Sequence, residues 1–342
     1  MEISKLLKLN VCVKEDNNIS SLQRRYRERT KQQILINKVT QMKAVICTKY
    51  GSPEVLKFAE LERPIPKQNE VLIKVIASSV TRGDVNLRKI PRSILIPLGF
   101  LFGFKPMKIT GVEFAGIVEA IGSDVKHFNK SDHVYGTTTG LEYGGNAEYV
   151  CVPEKPQKGV LIKKPDNISF IEAAVVPVGG MTALHILRKA SIQKGQRVLI
   201  YGASGSVGTY AVQLAKYFGA EVTGVCSTNN LEMIKSLGTL NAIDYHKEDF
   251  RKGTNSYDII FDAVGKITKS SCKKVLMKNG HFLSVKYPTK EKVEYMIFLN
   301  ELIESNKLKP VIDRTYTLDK IREAHSYVEQ GHKKGNVVIT VE

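Results

Sequence analysis

The sequence predicts an α/β protein in which a β-rich, barrel-like domain is interrupted by a doubly wound parallel sheet. Three features of the 342-residue chain carry that prediction. Short apolar strands separated by turn residues begin at Met42. From about Ser169 strands and helices alternate, the pattern of a parallel sheet with crossover helices. A glycine-rich turn at 202–208 sits between an apolar strand and a helical segment.

In chain order, the β-rich part has expected strands at 43–47, 71–77, 116–121, 133–135 and 148–152. Pro64 and Pro66 interrupt its first stretch, as at a barrel edge, where the missing N–H costs no ladder bond. The segment 94–104 is apolar but holds a proline and two glycines, and reads as a loop or a buried segment. In the alternating part, strands are expected at 197–201, 221–226, 242–245, 257–262 and 281–285. Helices are expected at 171–187, 207–218, 231–237, 268–277 and 293–305. A helix near 319–330 and a strand at 336–341 then return the chain to the first domain. The expected organisation is a basic, loosely ordered extension at 1–41, a catalytic domain from 42–168 and 306–342, and a nucleotide domain at 169–305.

An apolar content of 42% with 8% aromatic residues describes a globular chain and excludes a disordered one. No apolar run approaches the roughly 18 residues that span a bilayer, so no membrane partner is expected. The five cysteines are scattered, with no closely spaced pair of the kind zinc favours. That usage suits a reducing compartment, and a cytoplasmic location is expected. The seven histidines show no H-x-x-x-H spacing, and no metal site is expected. A formal charge of +17 favours anionic ligands and permits loose nucleic-acid attraction. The basic run at 21–31 could serve as a nucleic-acid arm, but the lysines elsewhere are dispersed.

The turn Gly202-Ala203-Ser204-Gly205-Ser206-Val207-Gly208 is the most informative stretch. Its glycines let the backbone approach a diphosphate closely, and the first helical N–H groups point at the anion. Gly202, Ser204, Gly205, Ser206, Val207 and Gly208 are therefore expected to hold a dinucleotide. Leu283, Ser284 and Val285 end a strand at the sheet's carboxyl edge, where such a ligand extends.

Six ordered markers accompany this turn: Met-Lys-Ala-Val at 42–45 with Tyr-Gly-Ser-Pro-Glu-Val-Leu at 50–56, Gly-Val-Glu-Phe-Ala-Gly-Ile-Val at 111–118, Ala-Ala-Val-Val-Pro at 173–177, Met-Thr-Ala at 181–183, Phe-Asp-Ala-Val-Gly at 261–265, and 331–339. Together they make the region from Met42 to the C-terminus resemble the medium-chain dehydrogenase/reductase superfamily, in its zinc-independent quinone oxidoreductase-like branch. The resemblance implies a GroES-like β-barrel catalytic domain with an inserted Rossmann-type domain, and a homodimer through the nucleotide-domain sheets. Zinc-dependent members carry Cys, His and Cys at positions that fall here at Thr81, Val112 and 177–178, none of them a thiolate or imidazole. The resemblance also places Thr182 and Asn336 at the cofactor, Tyr245 near its adenosine phosphate, and Thr81, Asp84 and Asn86 as candidate catalytic residues.

An NAD enzyme grips the ribose diol with Asp or Glu at the end of the second strand. Cys226, Ser227 and Thr228 stand there instead, which leaves room for a 2′-phosphate and favours NADPH over NADH. Without a Lewis acid, hydride delivery is easiest to an acceptor already electrophilic by conjugation. The expected activity is NADPH-dependent, zinc-independent reduction of quinones or α,β-unsaturated carbonyl compounds. Two alternatives stay open: an alcohol or aldehyde dehydrogenase of the same superfamily, and a nucleotide-regulated, non-enzymatic nucleic-acid binder.

Overall fold

A computed structural model describes residues 40–47, 49–102, 107–142, 144–254 and 256–341. Almost all of the extension expected at 1–41 therefore lies outside the described residues. Among the described residues, 43–60 and 64–341 form a compact unit, and 40–42 with 61–63 group separately.

In chain order the elements are β1 (Gln41–Cys47), β2 (Leu56–Glu62), β3 (Glu70–Ser79), α1 (Arg82–Lys89), α2 (Arg92–Phe102), β4 (Glu113–Ile121), β5 (His133–Thr137), β6 (Tyr149–Pro153) and β7 (Leu161–Lys163). Then follow α3 (Phe170–Ala173), α4 (Pro177–Arg188), β8 (Arg197–Tyr201), α5 (Ser206–Tyr217), β9 (Glu221–Cys226), α6 (Leu231–Ser236), β10 (Asn241–Asp244), β11 (Tyr257–Asp262), β12 (Leu276–Ser284), α7 (Val293–Glu304), β13 (Ile312–Thr317), α8 (Ile321–Gln330) and β14 (Asn336–Thr340).

A seven-stranded sheet runs β13-β14-β3-β4-β5-β7, with β6 also paired to β3. The last strand, β14, lies antiparallel to β3, with Val338 opposite Ser79 and Thr340 opposite Ala77. Its core is built of β-branched and aromatic residues such as Val71, Ile73, Val75, Phe114, Val134, Val150 and Ile339. These side chains fit a pleated, one-face-buried surface.

The second sheet is parallel, in the order β10-β9-β8-β11-β12. Val198, Leu199 and Ile200 of β8 are all fully buried, as expected for a strand covered by helices on both faces. From β8 the chain winds outward to β9 and β10, then crosses to β11 on the other side. The order thus reverses between β8 and β11, and that switch point opens a crevice at the carboxyl ends of the strands. Asp262 shapes one wall of it. This wholly buried carboxylate accepts the backbone N–H groups of Val264, Gly265, Lys266 and Ile267 and fixes the loop that follows β11.

Four local expectations need correction. The helix expected at 171–187 breaks into α3 and α4, because Pro177 has no N–H to continue the helical ladder and instead starts a new helix at its first position. The helix expected at 268–277 is absent: a short 3₁₀ turn spans Ser270–Cys272. There Thr268 and Ser271 bond each other's backbone N–H groups, so side chains displace the helical ladder. In consequence β12 begins at Leu276, five residues ahead of the expected 281. The apolar segment at 94–104, expected as a loop or buried segment, is the helix α2 through Phe102.

Beneath α1, the wholly buried His325 of α8 has no hydrogen-bond partner for either ring nitrogen among the described residues. Burial pushes its pKa down to about 3, and the Arg88 guanidinium adds repulsion against the imidazolium while Glu329 opposes it. The folded state thus holds the neutral ring, so this contribution to stability is fully present above the unfolded value of about 6.5. It is lost as pH falls from there toward 3, at about 1.4 kcal/mol per pH unit. Urea midpoints at pH 7, 5 and 4 will fall more steeply for the wild type than for His325→Met; equal slopes would contradict this account.

Candidate functional site

The turn after β8 forms as its sequence requires. Gly202 has φ +79°, a left-handed conformation, and donates its N–H to Val225 O at 3.0 Å. A Cβ on Gly208 would stand 2.1 Å from Gly202 O, so only glycine lets α5 start this close to the strand end. Gly205 occupies the N-cap of α5 and gives no side-chain cap, so the first helical N–H groups are left for an anion. Ser204, Gly205, Ser206 and Val207 are all half-buried along this rim. This cradle fits a dinucleotide diphosphate.

The other residues predicted at the cofactor lie at the exit of β9, after β10, at the end of β12, on α4 and at the start of β14. Ser227 is half-buried and Thr228 exposed at the exit of β9. Asn230 ties that exit to the turn, since its Nδ2 donates to Ser204 Oγ and Ser227 Oγ, both at 3.0 Å. Its Oδ1 is buried with no partner among the described residues. Thr228 Oγ1 donates to Asp244 Oδ2 at 2.6 Å, while the other Asp244 oxygen accepts the His246 N–H. The carboxylate at this corner is thereby committed to the protein's own loop. Tyr245 is exposed and lies against His246, with ring centroids 4.4 Å apart. Leu283 and Ser284 are buried, and Val285 is half-buried beyond the end of β12. Thr182 is half-buried on α4.

Asn336 is buried, and its Nδ2 is spent on Val311 O at 3.0 Å. The approach at this point comes one residue earlier: Gly335 donates its N–H to Ser204 O at 2.8 Å and pairs with Gly205. The C-terminal loop thus reaches the phosphate turn directly.

On the opposite side, Thr81 and Asp84 form a capping box at the start of α1. Thr81 N and Oγ1 both donate to Asp84 Oδ2, at 2.8 and 2.6 Å, and Asp84 N donates back to Thr81 Oγ1. Burial raises the Asp84 pKa, although these bonds oppose the rise. Asn86 is exposed on the same helix.

Sequence reasoning missed two charged groups here. Glu113, first in β4, is buried; its oxygens accept Ser79 Oγ at 2.5 Å and Val178 N, in the first turn of α4, at 2.7 Å. It therefore links the two sheets' elements through one carboxyl. Burial pushes its pKa up to about 8, with Asp84 adding repulsion and the two hydrogen bonds and Lys333 opposing. Lys333 is pushed down to about 8 by burial, while Glu113 and Asp313 work against that shift. Its Nζ donates to Gly335 O at 2.5 Å, at the residue that docks on the turn. The charge of Glu113 was visible in the 111–118 marker, but its partners lie 34 and 65 residues away. Lys333 had no local signal among so many lysines.

Such a crevice, with a phosphate cradle on a parallel sheet and groups near neutral pKa across it, defines a dinucleotide-fold oxidoreductase. The comparisons specify it further. Residues 67–166 match the alcohol dehydrogenase GroES-like domain, and residues 206–321 match the family described as zinc-binding dehydrogenase. The 2-methylene-furan-3-one reductase of Solanum lycopersicum is 36% identical over 322 residues, covering 88% of this chain and 79% of that protein. The chloroplastic NADPH-dependent alkenal/one oxidoreductase of Arabidopsis thaliana is 32% identical, over 87% of this chain and 79% of that protein. The structure of a quinone oxidoreductase from Coxiella burnetii superposes with TM-score 0.75 and 30% identity, covering 88% of this chain and all of that one. The chain belongs to the medium-chain dehydrogenase/reductase superfamily, in its quinone oxidoreductase-like branch, and is an oxidoreductase that uses a nicotinamide cofactor.

Proposed function

We propose that the protein is an NADPH-dependent reductase of quinones or α,β-unsaturated carbonyl compounds that works without a catalytic metal. The observation that carries this reading is the corner at the exit of β9. Ser227, Thr228 and Asn230 line it without a free carboxylate, because Asp244 is tied to Thr228. At the exit itself the Asp or Glu that grips a ribose diol is missing, and Ser227 and Asn230 offer polar groups to a 2′-phosphate, with the Asp244 anion set back behind Thr228. The names of the relatives, an enone reductase, an alkenal/one oxidoreductase and a quinone oxidoreductase, support the acceptor class.

When bound on the turn, the reduced nicotinamide supplies the hydride. The chain's own residues do the rest. Ser204, Gly205, Ser206, Val207 and Gly208 hold the diphosphate, and Tyr245 with Ser227 and Thr228 bounds the adenosine end. Thr182, Leu283, Ser284, Val285 and Asn336 flank the nicotinamide end. We assign the proton to Lys333, whose Nζ donates to Gly335 O on the loop that docks against the turn and whose pKa burial brings down to about 8. Asn86, exposed on α1, supplies a hydrogen bond at the acceptor's side; Thr81, whose N–H and hydroxyl are both spent on Asp84, fixes the start of that helix instead. No zinc is assigned, since Thr81, Val112 and 177–178 offer neither thiolate nor imidazole. A homodimer and a cytoplasmic location belong to the same reading. No helix among the described residues is long and apolar enough to cross a membrane.

The test is oxidation of NADPH and of NADH against a panel of quinones, enones, enals and simple ketones. Conjugated acceptors with NADPH will turn over fastest. Turnover of simple ketones alone, or a preference for NADH, would overturn the reading.

A further inference from the structure

The helix α2 is unlike the other helices among the described residues. After Ser93 its sequence is Ile-Leu-Ile-Pro-Leu-Gly-Phe-Leu-Phe, with no polar side chain. A helix apolar on all sides is normally covered by protein or by lipid. Here Ile94, Ile96 and Leu98 are exposed, Leu101 is 73% exposed and Phe100 is 94% exposed. At 100° per residue these positions point in several directions, so no single protein face accounts for them. Leu87 of α1 and Tyr50 extend the apolar surface.

Exposed cations ring the patch. Lys89 precedes α2, and Lys108 follows the segment that leads out of it. Lys49 is brought to the same place, because Cys47 N donates to Lys108 O at 3.1 Å and Cys47 Sγ donates to Lys49 O at 3.1 Å. Arg88 Nε donates to Gly51 O and Gly51 N donates to Arg88 O, which anchors this loop to the end of α1. Glu329 answers Arg88 and Lys89, and Glu142, whose backbone O accepts the Lys108 N–H, stands beside Lys108, so Lys49 and Lys108 outnumber it and keep the rim cationic. The whole chain carries +17.

We propose that α2 is a membrane-surface anchor that seats the protein peripherally on an anionic lipid bilayer, with Phe100 and Leu101 in the acyl boundary and Lys49 and Lys108 against the headgroups. Charge complementarity selects this occupant. A second copy would bring an identical cationic rim against the first. The placement has a functional consequence that rests on the reductase reading: α2 hangs between α1, which carries Thr81 and Asp84, and β4, which begins with Glu113. An apolar acceptor dissolved in the bilayer would meet the protein at the rim of its crevice. The expectation of no membrane partner, drawn from the lack of a spanning segment, does not bear on such a surface anchor.

The experiment is co-sedimentation of the full chain with vesicles of phosphatidylcholine alone and of phosphatidylcholine mixed with phosphatidylglycerol. The wild type will bind the anionic vesicles. Phe100→Ser with Leu101→Ser will weaken binding at least about tenfold without lowering the melting temperature. Lys49→Glu with Lys108→Glu will remove the preference for anionic lipid. Absence of binding by the wild type would overturn the proposal. So would full binding by the double serine variant, which would assign the attraction to charge alone, including the basic run at 21–31. Loss of a dimer in the serine variant, in a protein that ignores vesicles, would assign the patch to a second copy. Turnover of a water-soluble quinone, measured on the same preparations, reports separately on the reductase reading.

Discussion

Gly205→Asp will leave the protein folded and raise the Kd for NADPH at least about 100-fold, or about 2.7 kcal/mol. A Cβ at Gly205 meets nothing nearer than Gly202 O at 3.6 Å, and the backbone conformation suits any residue. Aspartate is also a favoured N-cap, so helix α5 should be as stable as before or slightly more so. What the substitution destroys is the anion site: the new carboxylate takes the N–H groups and repels the diphosphate. Gly208→Ala is the informative contrast. Its Cβ would lie 2.1 Å from a backbone carbonyl, so fold and binding should suffer together. Fluorescence titration with NADPH and a thermal melt separate the two cases. Binding by Gly205→Asp within a few-fold of the wild type would contradict the assignment.

The second large effect concerns the proton. Lys333→Met will lower kcat by about 10²–10⁴, the range typical of a lost general acid. In the wild type the ammonium form is the donor, and burial has brought its pKa down to about 8. The rate is therefore full below that pH and falls tenfold per unit above it. Lys333→Arg will preserve the charge beside Glu113 yet not the turnover, because a guanidinium does not give up its proton in this range. A kcat that stays flat above pH 9, or a methionine variant with normal turnover, would remove Lys333 from this role.

The parts of the fold set by local patterning were readable in the sequence. Continuous apolar runs such as 197–201 specified parallel strands, and the glycine spacing at 202–208 specified both the turn and its ligand class. Elements decided by competition between local options were not. At 268–271 two hydroxyl side chains outbid a helix, and at 177 a proline split one. The helix α2 defied its reading because burial was inferred from apolar content, whereas the described residues leave Ile94, Ile96, Phe100 and Leu101 exposed.

For the site, residues contiguous in sequence were found and residues assembled by topology were missed. Asn230 joins two turns 26 residues apart, and Gly335 closes on Ser204 from the far end of the chain. The shifted ionisation of Glu113 and Lys333 arises from burial, against their mutual attraction, and no spacing of residues displays it.

The central claim is hydride transfer from NADPH to the conjugated carbon of an activated acceptor. The most direct measurement uses NADPH deuterated at the transferring position of nicotinamide C4, an α,β-unsaturated ketone as acceptor, and NMR of the product. The account predicts a saturated ketone with a single deuterium on the β-carbon and a solvent-derived proton on the α-carbon. An allylic alcohol with deuterium on the former carbonyl carbon would contradict it.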